Sequence, residues 1–174
     1  MKIRQRLRRE DGAAAVEFAL IVGVLAMLIF GMLQFGLTFF ELQNLRSATR
    51  EGGRLGAVGA TPDSIRSKIE SASNGAIQPG EAANGSFVKI TYSDSGTFTE
   101  PSSSQNQTGN VNPACTSTTT GAVTTDSAVR VQLFLAQAPS HLKNLFTVNI
   151  PLLPPITMTP TIDAQFRCEG VKSA

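Results

Sequence analysis

The chain has 174 residues, with 15 basic and 13 acidic side chains, two cysteines and one histidine. Five of the basic residues lie within residues 1–12, and the remainder of the chain holds ten basic and eleven acidic residues. The excess of basic over acidic residues therefore lies in the N-terminal segment, and it gives no reason to expect nucleic acid as a partner. With one histidine and no CxxC pair, the sequence also offers no zinc ligand set.

An uncharged apolar run from Phe18 to Phe40 follows the basic segment. As a helix it spans about 34 Å, enough to cross a ~30 Å hydrocarbon core. A secretory signal fits poorly, because its apolar part is only ~7–15 residues long and a small-residue cleavage site follows it. A buried soluble helix is disfavoured, because so small a protein cannot cover it on all sides. We therefore expect a membrane-spanning helix, with the more basic N-terminal side in the cytoplasm.

Glu17 lies at the head of this run, five residues after Gly12. An acidic side chain costs about 2.5–3.5 kcal/mol at the centre of a membrane helix and less near the interface. A plain membrane anchor gives no reason for such a residue, which makes Glu17 a functional candidate. Cleavage after Gly12 would free the amino group of Ala13, a cation that a neighbouring subunit could present to Glu17.

Two motifs give the chain a family resemblance. Gly12, the small and apolar residues 13–16, Glu17, Phe18 and the apolar helix resemble the processing site of type IV prepilins, particularly the tight-adherence (Tad/Flp, type IVb) branch. Further on, the segment Ala48-Thr49-Arg50-Glu51-Gly52-Gly53-Arg54 resembles a motif of TadE-like minor pilins. The resemblance covers about the first 55 residues closely.

The resemblance implies a structural role. A prepilin peptidase would cut the Gly12–Ala13 bond, and Glu17 and Phe18 would contact other pilin subunits during assembly. The partners would be the bacterial inner membrane, the peptidase, other pilins and the assembly machinery. The C-terminal part would lie in the periplasm and, after assembly, in an extracellular adhesive pilus.

The long helix is expected to continue past the membrane to about Glu51, because Gly52-Gly53 and Gly56 favour a helix end. Arg46, Arg50 and Arg54 share one face at four-residue spacing. Two interpretations stay open for them: a solvated face near lipid headgroups, or a docking face for acidic residues of a partner pilin.

The remaining sequence predicts a small α+β domain. Thr61-Pro62-Asp63-Ser64 is a typical helix start, and Asn74-Gly75 a typical helix end. Strands are predicted over residues 87–92, 129–135 and 156–167, with Pro160 marking an edge strand or a bulge. A short helix over residues 140–146 is expected to pack Leu142, Leu145 and Phe146 inward. The expected organisation is a leader (1–12), a long transmembrane and assembly helix (13–58) and an exported α+β domain (59–174) with a three- or four-stranded antiparallel sheet.

A polar segment at about residues 93–126 is expected to form a long loop, because it has too few apolar residues to offset its ordering entropy. Cys115 lies in this segment and Cys168 continues the apolar face of the last strand. In an oxidising compartment the two would form a disulfide. The alternative is two unpaired thiols.

The sequence contains no catalytic constellation: it lacks a Gly-x-Ser-x-Gly motif, a phosphate-binding glycine loop and a carboxylate pair beside a candidate base. We therefore expect no enzyme activity, no cofactor and no small-molecule substrate. The preferred hypothesis is a minor pilin or pseudopilin of a Tad pilus. The alternative is an uncleaved membrane-anchored module that binds a ligand in the periplasm.

Overall fold

The computed structural model describes residues 4–84, 86–93, 97–98, 108, 115, 127–150 and 153–169, and within them all side chains except those of residues 4–11 and 84. Helix α1 (Arg4–Ala57) is followed by α2 (Pro62–Ala72), α3 (Ser140–Leu145) and five strands. The strands are β1 (Val88–Ser93), β2 (Ala128–Phe134), β3 (Thr147–Val148), β4 (Ile156–Thr157) and β5 (Thr161–Arg167). The expected α+β class is confirmed.

Helix α1 begins before Ala13 and continues past the glycine pair, close to the end of the segment 13–58. Its 54 residues span about 81 Å at ~1.5 Å per residue. It begins within the basic segment rather than at Ala13, and it runs through Gly52-Gly53 to Ala57. The predicted helix end at the glycine pair was therefore wrong.

The glycines near the end of α1 lie against the C-terminal domain. A Cβ atom on Gly52 would lie 2.5 Å from Ile69 Cγ1 of α2, and one on Gly53 would lie 2.6 Å from the Phe166 ring of β5. A Cβ on Gly56 would lie 3.0 Å from Ile65 Cδ1. Since real Cβ atoms almost never approach so closely, these positions let the backbone of α1 touch the domain directly.

Helix α2 begins as its sequence predicts. The Thr61 side chain accepts a hydrogen bond from the Ser64 backbone N–H at 3.3 Å, and Pro62 occupies the first helical position. After Ala72, Asn74 and Gly75 adopt positive φ values of 54° and 84°, which end the helix. Ile65 and Ile69 are fully buried against α1.

The main sheet is antiparallel with the order β1-β2-β5. Val131 of the central strand lies opposite Ile90 on one side and Ala164 on the other. Val129, Val131 and Leu133 are fully buried, so the predicted apolar face of β2 is confirmed. This face closes the core formed with α1 and α2.

The predicted strand over residues 156–167 is split at Pro160. Residues 158–160 have no strand structure, and the chain on either side joins different sheets. β4 pairs with β3 in a two-stranded sheet, whereas β5 is an edge of the main sheet. Proline cannot donate a ladder hydrogen bond, which explains both the break and the edge position.

Helix α3 buries Leu142, and Phe146 beyond its end is also buried, but Leu145 is 40% exposed. The prediction that Leu145 packs inward was wrong. Its backbone carbonyl instead accepts a hydrogen bond from Thr38 Oγ1 of α1 at 3.3 Å. The domain thus reaches back along α1 to residue 38.

A disulfide joins Cys115 to Cys168 just beyond β5, with Cα atoms 5.3 Å apart. Cys115 is fully buried. Most of the expected polar loop around it, including residues 99–107 and 116–126, lies outside the described residues. The bond therefore attaches this segment of the chain to the end of the sheet.

We expect Gly52→Ala to destabilise the domain although alanine favours the helix by about 1 kcal/mol. Overpacking against Ile69 costs about 1–3 kcal/mol and should outweigh that gain. Denaturant unfolding of the full chain in detergent, followed through the single tyrosine, measures the difference. Gly36→Ala is the matched control, because nothing lies within 4 Å of its Cβ position. Equal midpoints for Gly52→Ala and the wild type would contradict the close packing.

For the exported protein we expect Cys115 and Cys168 to be bonded. The sequence separation of 53 residues corresponds to about 4 kcal/mol of stabilisation in the chain-entropy model. Non-reducing peptide mapping should recover the cross-linked pair. Alkylation of both thiols without prior reduction would show that the bond does not form in the cell.

Candidate functional site

The N-terminal candidate site lies on one continuous helix. Gly12, Ala13, Glu17 and Phe18 all belong to α1, and all four are exposed. Phe18 has 68% of its surface exposed. Among the side chains described from residue 12 onward, none forms an ion pair with Glu17. The structure of one chain therefore presents this carboxylate and its aromatic neighbour outward.

The apolar part of α1 is also exposed. Large hydrophobic side chains on all sides of the helix are 42–73% accessible between Val16 and Phe40. Within the part of the chain that the structure describes, this is the one helix long and apolar enough to cross a membrane. It fits a single-pass membrane protein.

The segment Ala48 to Arg54 has two chemically different faces. Ala48, Thr49, Gly52 and Gly53 are buried against the domain, whereas the charged side chains of residues 50, 51 and 54 are exposed. Thr49 Oγ1 donates to the Leu45 carbonyl at 2.7 Å, so its hydroxyl is satisfied within the helix. The small residues are therefore required by packing, Glu51 pairs with Lys68, and the two arginines remain available for other contacts.

The three arginines at residues 46, 50 and 54, for which a solvated face and a docking face both stayed open, have different surroundings. Arg46 and Arg50 line a pocket of about 270 Å³ together with Thr161, Ile162 and Asp163 of β5. Asp163 also forms an ion pair with Arg130 of β2. A carboxylate entering this pocket would meet the exposed guanidinium groups of Arg46 and Arg50. It would also meet the carboxylate of Asp163, whose charge is compensated by the ion pair with Arg130.

Arg54 lines a separate pocket of about 430 Å³ at the end of α1. Glu51, Lys68 and Glu169 also line it, and Glu51 and Lys68 are joined by an ion pair of 3.0 Å. This pocket carries both signs of charge. Arg54 therefore lies in a pocket of mixed charge, whereas Arg46 and Arg50 line a different pocket.

A buried arginine was not recognised from the sequence. Arg66 of α2 is 1% exposed and lies 3.5 Å from the Asp63 carboxylate. Burial lowers the pKa of Arg66, whereas Asp63 and Tyr92 raise it. Burial raises the pKa of Tyr92 to about 12, and the positive charge of Arg66 opposes that shift. The Arg66, Asp63 and Tyr92 side chains connect α2 to β1. We therefore interpret this cluster as structural and propose no functional site there.

Metal chemistry has no support among the described residues, which contain no group of three or more His, Cys, Asp or Glu side chains able to hold an ion. His141 Nε2 lies 3.3 Å from a carboxylate oxygen of Glu81. This pair connects α3 to the turn at residue 81.

In this chain a small α+β domain is carried on a long apolar helix, which fits a single-pass membrane protein. The family model for TadE-like proteins matches residues 12–54. This confirms the resemblance inferred from the two motifs and supports a protein associated with Tad pili, in a family whose members are structural. No match to the chain was found among curated proteins or among solved structures.

The match begins at Gly12 and ends at Arg54, so it includes both motifs and the helix between them. It ends within α1, before α2 and the strands. The packing role of Gly52 and Gly56 could have been inferred from their four-residue spacing, which places them on one helix face. The proximity of Thr38 to Leu145 had no comparable signal in the sequence.

Proposed function

We propose that this chain is a minor pilin, or pseudopilin, of a Tad/Flp type IVb pilus that takes part in surface adhesion. The single observation that carries the proposal is the family match, which covers Gly12, Glu17 and the Ala48–Arg54 segment in one stretch of helix. The exposed Glu17 and the uncovered apolar surface of α1 support it, because both require partners that one chain does not provide.

The proposed cleavage site is the Gly12–Ala13 bond. In the structure this bond lies inside α1, where helical hydrogen bonding shields backbone carbonyls. A peptidase must therefore open the helix locally. Glycine lowers helix stability by about 1 kcal/mol relative to alanine, so Gly12 favours opening at this point.

After cleavage, the Ala13 amino group would carry a positive charge at the N-terminus of α1. Glu17 of a neighbouring subunit is its proposed partner. A carboxylate that moves into an apolar helix bundle needs such a cation or must take up a proton. The pair would thus set the axial position of one subunit against the next.

The pocket formed by Arg46, Arg50 and Asp163 is the proposed second contact with acidic residues of a partner pilin. Arginine suits this role, because its planar guanidinium can bind a carboxylate through two hydrogen bonds. Arg54 is a weaker member of this face, since Glu51 and Glu169 line its pocket. Co-purification of partner pilins with an Arg46→Gln, Arg50→Gln chain tests this contact; undiminished recovery would contradict it.

The native protein is expected to begin at Ala13 and to have the C-terminal domain outside the cytoplasm. Intact-mass measurement of protein extracted from its membrane should show loss of residues 1–12. A strain without prepilin peptidase provides the control and should retain them. If Met1 remains in a strain with active peptidase, the alternative of an uncleaved anchored binding module is favoured.

Glu17→Gln is expected to leave membrane insertion and leader removal largely intact while surface piliation falls. Glutamine keeps the size and helix propensity of glutamate and removes its charge. Loss of a paired charge in an apolar bundle should exceed 1.4 kcal/mol per contact, and therefore lower assembly about tenfold or more. Microscopy measures piliation, and a gel shift measures leader removal.

Glu41→Gln is the matched control for this experiment. Glu41 lies on the same helix, beyond the apolar run and outside both motifs. We expect normal piliation from it. Normal piliation by Glu17→Gln as well would show that the carboxylate is not an assembly contact.

A further inference from the structure

The domain contacts α1 inside the apolar run as well as beyond it. Thr38 is 7% exposed, and its hydroxyl lies 3.0 Å from the Gln34 carbonyl of the preceding turn and 3.3 Å from the Leu145 carbonyl at the end of α3. From Phe18 to Leu37, α1 spans about 30 Å, which equals the thickness of a hydrocarbon core. If Glu17 lies at one membrane boundary, Thr38 and the domain surface beside it lie at the other.

Three large apolar side chains are exposed in the domain segment from residue 145 to residue 156. Leu145 is 40% exposed, Leu153 is 56% exposed and Ile156 is 49% exposed. We call them the apolar shoulder. Outside the apolar part of α1, the described residues include only one other exposed large hydrophobic side chain, Val58. Apart from Val58, the exposed large apolar side chains of the described domain therefore fall in one segment, which meets α1 through Leu145 and β3.

The shoulder adjoins the helix surface that lipid would cover. Ile156 pairs with Val148 of β3, and β3 packs against α1. On α1 at the same level, Leu37, Phe39 and Phe40 are 56–69% exposed. The exposed apolar surface of α1 thus continues sideways onto the domain.

The shoulder segment itself carries no acidic residue. No aspartate or glutamate occurs between residues 127 and 162, while Glu81 is paired with His141 of α3 and Glu41 lies one turn beyond Thr38 on α1. Lys143 of α3 is partly exposed, and its long side chain can extend to headgroups while its neighbours enter the apolar layer.

We propose that the apolar shoulder inserts into the interface of the same bilayer that α1 spans. The proposal rests on the proposed membrane-spanning role of α1. A second lipid contact beside the helix fixes the tilt and rotation of the domain on the membrane before assembly. Extraction of the subunit into a pilus then requires the shoulder to leave the lipid.

Tryptophan fluorescence tests this contact, because the chain contains no tryptophan of its own. The full chain carrying Leu153→Trp is reconstituted in vesicles that contain anionic lipid and, in separate samples, phospholipids brominated in the upper acyl chain, which report on the shoulder, or near the acyl-chain ends, which report on the middle of α1. We expect a blue-shifted emission and strong quenching by bromine. Ile156→Trp is a second reporter at an exposed position and should behave in the same way.

Two control variants separate the possible failures. Phe30→Trp reports on the middle of α1 and must be quenched if the helix spans the bilayer. Val58→Trp lies beyond Ala57, about 30 Å along the helix from Thr38, and should remain unquenched. Lack of quenching at Phe30→Trp would overturn the membrane-spanning role itself.

Quenching of Phe30→Trp without quenching of either shoulder reporter would overturn the lipid contact alone. A blue shift of the shoulder reporters that appears only at high protein-to-lipid ratios would also overturn it, because the shoulder would then meet another copy of the chain. Quenching that persists at high dilution in lipid supports the proposal.

Discussion

The structure depends on the close approach of α1 to the C-terminal domain at Gly52, Gly53 and Gly56. Side chains at these positions would hold the helix away from Ile65, Ile69 and Phe166. Direct backbone contact lets one helix serve both as the apolar stem and as part of the domain core. The helix therefore leaves the domain in a defined direction instead of being joined to it by a linker.

This packing explains the composition of the Ala48–Arg54 segment without any reference to binding. Ala48 and Gly52 are one helical turn apart and face the domain, whereas Arg50 and Arg54 face solvent. A motif that combines small residues with arginines thus has two separate causes. The small residues satisfy a steric requirement, and only the arginines remain to be explained by interactions with partners or solvent.

Much of the fold followed from local chemistry in the sequence. The helix start at Thr61-Pro62, the alternation around Val131 and the edge position of the strand after Pro160 each depend on short-range rules, and each was confirmed, whereas the division of residues 156–167 into two strands was not predicted. The continuation of α1 through Gly52-Gly53 was missed, because intrinsic propensity favours an end there while tertiary packing stabilises the helix. The outward position of Leu145 was missed for a related reason: the apolar pattern cannot show whether its neighbour is core or membrane.

The same limit applies to the candidate site. The sequence marks Gly12 and Glu17 because their chemistry is unusual at the head of an apolar helix, and the family match covers both. The burial of Arg66 and the division of the three arginines between two pockets depend on α2 and β5, which are distant in sequence from the helix. Short motifs therefore identified the residues, whereas their surroundings required the fold.

The exposed half of α1 cannot by itself determine how subunits assemble. In lipid, apolar side chains gain little hydrophobic free energy by exchanging acyl chains for a neighbouring helix. Many axial offsets between two such helices would then have similar free energies. If the proposed cleavage frees the amino group of Ala13, a charge near one end of the helix would remove this degeneracy, since only one offset would place Glu17 beside that amino terminus. Because α1 is packed into the domain at its other end, that offset would also fix where Arg46 and Arg50 of one subunit meet the next. The rigid connection at the glycines is thus what would allow one ion pair near the N-terminus to set contacts between domains at the far end of the helix.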